Sequence, residues 1–258
     1  MALTGIDVSE HQGVIDWNKV KSDGVDFAIL RAGYGRNNID KQFKRNIAEC
    51  NRLGIPVGVY WFSYAYNHDM AVKEAEYCMA ACKGYKLTWP IFFDFEYDSV
   101  DYAKRCGINA TPALACDMAL AFMERVKKGG YVAGWYANPD YIRRYLTSAA
   151  LNNYPLWIAQ YASRYTYSGK AEVVIWQYSS TGKVSGVSGN CDMNHGYKDY
   201  RKQEVKPVEK KWYEKSGEWA EAKKLGITDG TNPDKAATRA EVAAMILRAM
   251  KLIKEGKA

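Results

Sequence analysis

Nowhere in the 258 residues is there an apolar run approaching the roughly 18 residues that a bilayer-crossing helix needs. The opening MALTGIDVSEHQG also lacks both the basic and the apolar stretch of a secretory leader. The expectation is therefore no membrane partner, and a chain made in the cytoplasm that acts after release. Cysteine is sparse. The six copies (Cys50, Cys78, Cys82, Cys106, Cys116, Cys191) form no disulfide framework, and a chain of this size needs none. Cys78 and Cys82 stand one helical turn apart, but no second Cys or His pair completes a ligand spacing. They read as buried thiols, and neither a metal nor a cofactor is expected. Histidine is limited to His11, His68 and His195. With no Ser or Cys elbow motif nearby, a catalytic triad has no support, although His11 and His195 lie close to acids.

What is present is ordinary globular composition, 48% apolar and 25% charged, with one excess: 20 tyrosines, 19 of them before residue 201. The formal charge of +7 sits mostly at the end, where residues 201–258 carry 14 Lys and Arg against 9 Asp and Glu. A basic tail suits an anionic wall polymer, or is simply solvated linker charge. Nucleic acid is not expected, because the basic residues alternate with glutamates and lack the aromatics of a stacking surface.

Short β-rich runs recur with helical segments between them: LTGID, VDFAILRAG, IPVGVYWFSY, WPIFFDFE and YVAGWYA. This alternation predicts an α/β fold of repeated βα units. Thr111-Pro112 and Asn138-Pro139 have the form of helix starts, and Leu53-Gly54 that of a helix stop. Three further strands, near residues 158, 175 and 191, follow too closely for full crossover helices. The pattern is that of an eight-stranded barrel whose last third has lost its helices, spanning residues 1–200. Residues 201–211, RKQEVKPVEKK, read as a charged linker, and residues 212–258 as a small, mostly helical module. Within it Gly226 stops one helix and Thr238 with Glu241 has capping-box spacing before another.

The chemistry concentrates in Phe92-Phe93-Asp94-Phe95-Glu96. On a strand, Asp94 and Glu96 share one face about 6.6 Å apart, while Phe93 and Phe95 turn toward the helices. Glycosidases use such a pair, one carboxyl protonating the leaving oxygen and the other stabilising or activating what attacks the sugar. Closing a barrel would also bring Asp7, ending the first strand, beside Asp192 on the last. Four carboxylates at one mouth are costly without a function. Tyr34, Phe62, Tyr64 and Tyr136 lie at strand ends, where rings can cover sugar faces, and Gln177 lies near the end of the seventh strand. A non-catalytic carbohydrate binder on the same barrel and a glycosidase of another specificity, such as one for chitin, are the rivals.

Gly5-Ile6-Asp7-Val8-Ser9 with Gln12-Gly13, then Asp94-Phe95-Glu96, Trp135-Tyr136, Trp176-Gln177-Tyr178 and Asp192 together resemble glycoside hydrolase family 25. The resemblance covers residues 1–200 and implies five β/α units followed by three strands. It implies an N-acetylmuramidase acting on peptidoglycan glycan strands at the β-1,4 bond from N-acetylmuramic acid to N-acetylglucosamine, with retention. By position, Glu96 resembles the general acid/base and Asp94 the residue that orients the substrate's 2-acetamido group as nucleophile, with Asp7 and Asp192 as supporting acids. The wider spacing of a strand pair favours such substrate assistance over a nucleophilic carboxylate. Trp219-Ala220, Leu225-Gly226-Ile227-Thr228-Asp229-Gly230 and Thr238-Arg239-Ala240-Glu241 resemble one S-layer-homology-like unit. That likeness implies binding of a secondary wall polymer, and its single copy suggests homo-oligomer formation through the tail.

Overall fold

The computed structural model describes residues 2–200, 218–228 and 238–255. It divides into two compact units, Met1–Lys206 and Pro207–Ala258. The charged segment 201–211 lies outside the described residues.

The first unit is built on β1 (Leu3–Val8), β2 (Phe27–Tyr34), β3 (Asn38–Ile39), β4 (Val57–Phe62), β5 (Ile91–Asp94), β6 (Ala133–Ala137), β7 (Leu156–Ala159), β8 (Val173–Gly182) and β9 (Cys191–Gly196). Neighbours run β1-β9-β8-β7-β6-β5-β4-β2, and β1 pairs with β2 to close eight strands into a barrel. All pairings around it are parallel except those of β9, which is antiparallel to both β1 and β8. Five crossovers carry α1 (Trp17–Ser22), α2 (Phe43–Leu53), α3 (His68–Cys82), α4 (Tyr97–Arg105) with α5 (Pro112–Lys128), and α6 (Pro139–Arg144). The last connections lack helices, as the short intervals require. Strand β3 was not foreseen: a turn through Gly35 and Asn37, both at positive φ, folds two residues back onto β2 outside the closure.

Local signals act as their chemistry dictates. Thr111 and Asn138 cap α5 and α6 ahead of a first-turn proline, and Gly54 ends α2 in the left-handed region at φ 69°. Alternation along each strand divides the core in two. Phe27, Ile29, Phe92, Trp157 and Ile175 fill the barrel, while Leu30, Val59, Trp61, Phe93 and Ile158 pack outward against the helices. The floor is tight. A Cβ on Gly5 would clash with the Phe27 ring, itself stacked on Trp89. Gly5→Ala is therefore expected to cost about 1–3 kcal/mol by overpacking, read as a lower urea midpoint with an unchanged slope.

In the second unit, α7 (Glu218–Lys224) gives way to Gly226 at φ 72°. Helix α8 (Arg239–Lys254) starts at a reciprocal cap: Glu241 accepts from the Thr238 backbone at 2.7 Å and donates its own N–H to the Thr238 hydroxyl at 3.2 Å. No described helix is long and apolar enough to cross a membrane.

Candidate active site

Closure brings the acids together. Asp7 and Asp192 are direct register partners on β1 and β9, and Asp94 ends β5 between Phe62 and Tyr136 on its neighbours. Because β9 runs antiparallel, its beginning, rather than its end, reaches the mouth where the parallel strands finish. Asp7 and Asp94 are buried, at 5% and 3% exposure, and Glu96 and Asp192 are partly so.

Glu96 does not extend the strand. It is the N-cap of α4, with extended backbone and its N–H donating to the Ser99 hydroxyl at 3.0 Å. Its carboxyl neighbours that of Asp94, closely enough for Glu96 to raise the proton affinity of Asp94. Asp94 Oδ1 is buried without a hydrogen-bond partner among the described residues.

Burial and crowding hold protons here. Burial first, then the neighbouring Asp192, pushes Asp7 up to about 8, against the pull of hydrogen bonds from Gln177 and Asn194. Asp94 is raised well above the usual carboxylate range by burial and then by Glu96. Burial also raises Glu96 and Asp192. Such a cluster retains protons at pH values where a solvated carboxyl has lost them.

A polar network orients Asp7. Gln177 Nε2 and Asn194 Nδ2 donate to its Oδ2 at 2.9 and 2.7 Å. Gln177 Oε1 in turn accepts from the hydroxyls of Tyr136 at 3.0 Å and Tyr161 at 3.1 Å, and Asn194 Oδ1 from the Trp157 indole at 2.8 Å. Each amide takes a proton on its oxygen side and so must present N–H to Asp7. Tyr136 and Gln177 are therefore parts of the acid-orienting network, with Tyr136 only 8% exposed.

Tyr34, Phe62 and Tyr64 lie elsewhere, lining a cavity of about 390 Å³ with Glu10, His11, Arg31 and Asp98. Arg31 bridges Glu10 at 2.9 Å and Asp40 at 2.8 Å and lies over the Tyr34 ring. The Tyr64 hydroxyl donates to Asp98. His11 approaches Arg31, and His195 stacks on Tyr178, so neither histidine is held by Asp7 or Asp192. Sequence reasoning missed Asn194, Tyr161, Arg31 and Asp98. Asn194 alone carried a signal, standing two residues from Asp192 on the same strand face.

Buried carboxyls of raised proton affinity, together with a cavity walled by aromatic rings, are the equipment of a glycoside hydrolase. The profile of glycosyl hydrolases family 25 matches residues 6–187, and the chain belongs to that family. It is 30% identical over 202 residues to lysozyme M1 of Streptomyces globisporus, covering 74% of this chain and 67% of that enzyme. The autolysin LytC of Streptococcus pneumoniae, solved with a synthetic peptidoglycan ligand, superposes with a TM-score of 0.68 at 30% identity, covering 76% of this chain and 47% of LytC. A family 25 glycosyl hydrolase from Bacillus anthracis superposes with a TM-score of 0.65 at 26% identity, covering 76% and 89%. The chain thus spans about half the length of LytC and two thirds of the Streptomyces enzyme.

Proposed function

We propose that the protein is a muramidase, cleaving the β-1,4 bond from N-acetylmuramic acid to N-acetylglucosamine in peptidoglycan with retention. One observation carries the reading: buried Asp94 ends β5, next to Glu96, at a barrel mouth where Asp7 and Asp192 are direct register partners. Glu96, partly exposed at the start of α4, gives its proton to the leaving oxygen as the bond to the anomeric carbon breaks. The unpartnered Asp94 Oδ1 accepts the N–H of the substrate's 2-acetamido group, whose oxygen closes on the anomeric carbon. Glu96, now a carboxylate, takes a proton from the water that opens that ring, restoring both groups. Asp7, fixed by Gln177 and Asn194, and Asp192 raise the proton affinity of the cluster and contact sugar hydroxyls.

Digestion of purified peptidoglycan tests the specificity. New reducing ends on muramic acid are expected, whereas glucosamine ends would reassign the enzyme to a different bond. A sugar trapped covalently on Asp94 would replace substrate assistance with a protein nucleophile.

The second unit we assign to the wall, through a secondary polymer or through self-association. Its helix α8 exposes Val242, Ile246, Leu247, Met250 and Ile253, with Leu247 and Ile253 each at 67%. Such a stripe at helical spacing fits a helix partner. Leu247→Lys with Ile253→Lys is expected to convert an oligomer of the full chain to monomer in gel filtration. A wild-type monomer that still sediments with cell walls would leave polymer binding as the role.

A further inference from the structure

Glu74 is a carboxylate with no part in the chemistry above, yet it is 1% exposed in the middle of α3. Burial pushes it up to about 7, and only hydrogen bonds, with no charged partner, pull it back. Its partners are all in the segment that leaves β4. The Ser63 hydroxyl donates to Oε2 at 2.6 Å, and the Tyr64 backbone N–H donates to Oε1 at 2.9 Å. Ser63 Oγ also accepts from the Ala65 N–H at 3.2 Å, while the Ser63 N–H donates to the carbonyl of Asp94 at 2.8 Å. The ladder stops at Phe62, so without Glu74 the Tyr64 N–H would lose the acceptor that replaces a strand partner.

What this backbone carries is the groove wall. Tyr64 contacts the rings of Phe62, Tyr34 and Tyr102, donates to Asp98, and lines the cavity with Glu10 and Arg31. We propose that Glu74 is a positioning residue for the glycosidase reaction, acting through Ser63 and Tyr64 to hold the Tyr64 ring where a glycan residue binds. A buried carboxylate suits this task because it offers two acceptor oxygens to two donors that diverge from one turn. Glutamine has the same shape but only one acceptor oxygen, so one donor meets an amide N–H.

The inference rests on the glycan-binding reading of the groove, and its test keeps the two separable. Glu74→Gln is expected to raise KM for a soluble glycan fragment about 10-fold with kcat changed less than about 3-fold, the pattern of lost substrate binding. In a Tyr64→Ala background the same substitution is expected to add nothing further, because its effect runs through that ring. The Tyr64 amide is expected to exchange faster in Glu74→Gln, a readout that needs no activity. Unchanged kinetics with a lowered melting temperature would mark Glu74 as merely structural and overturn the proposal. Additive effects in the double variant, or unchanged amide protection, would overturn it as well. If Glu74→Gln does not fold, Ser63→Ala enters the same cycle with a smaller expected rise in KM, and no rise sinks the idea. Absence of cleavage by the wild-type protein would instead reject the muramidase reading, leaving fragment binding and amide exchange to decide on Glu74.

Discussion

Glu96→Gln is expected to slow cleavage of peptidoglycan by about 10²- to 10⁴-fold, the usual worth of a positioned general acid/base. The substitution keeps the side chain's shape and leaves the backbone bond from Glu96 N–H to the Ser99 hydroxyl untouched, so α4 should start as before. What it removes is the transferable proton and, in the second step, the base. Burial raises the proton affinity of Glu96, which favours the acid form that donates. Binding of glycan fragments is expected to persist, since the aromatic wall is intact. Turnover and fragment affinity measured on the same preparation check this. Retention of more than about a tenth of wild-type turnover would move the acid role to another of the four carboxyls.

Asp7→Asn is expected to make the protein more stable at alkaline pH, by on the order of 3 kcal/mol at pH 9, and no more stable at pH 3. The sign follows from proton counting. Asp7 holds its proton to about 8 in the folded chain and to 3.8 when unfolded, so between those values the native state binds more protons. Wild-type stability therefore falls as pH rises through that window and levels off above it. Asparagine carries no charge to repel Asp192 and Glu96, and its oxygen can still accept from Gln177 and Asn194. The repulsion is shared among the acids, which keeps the gain below the full shift of one group. Urea midpoints of both proteins across pH 3–9 test it. Parallel curves would show that Asp7 is not held protonated. Activity is expected to fall in the variant, since the strain belongs to the site.

Much of this was legible in order along the chain. Alternation of β-rich and helical segments, Gly54 as a stop and Thr111 and Asn138 as caps are local properties, and local sterics and hydrogen bonds decide them. The pairing of Asp7 with Asp192 was also readable, because closing a barrel leaves no other neighbour for its first and last strands. Phe93 and Phe95 turned outward onto α5 and α6 as period-two alternation required.

Other features depended on distances that no local pattern encodes. That Glu96 caps α4 instead of extending β5 beyond Asp94 follows from where the ladder ends. Tyr136 and Gln177 read from the sequence as sugar contacts; packing across β6, β8 and β9 also ties them to Asp7 in a network with Asn194, Tyr161 and Trp157. Arg31 and Glu74 carried no signal, since an arginine on a strand and a glutamate on a helix are ordinary until their partners are known. The sequence by itself determined the barrel, its missing helices and the four acids. Only the tertiary structure decided which carboxyls are buried, what orients Asp7 and what holds the groove wall, because burial and hydrogen-bond geometry arise between segments far apart in the chain.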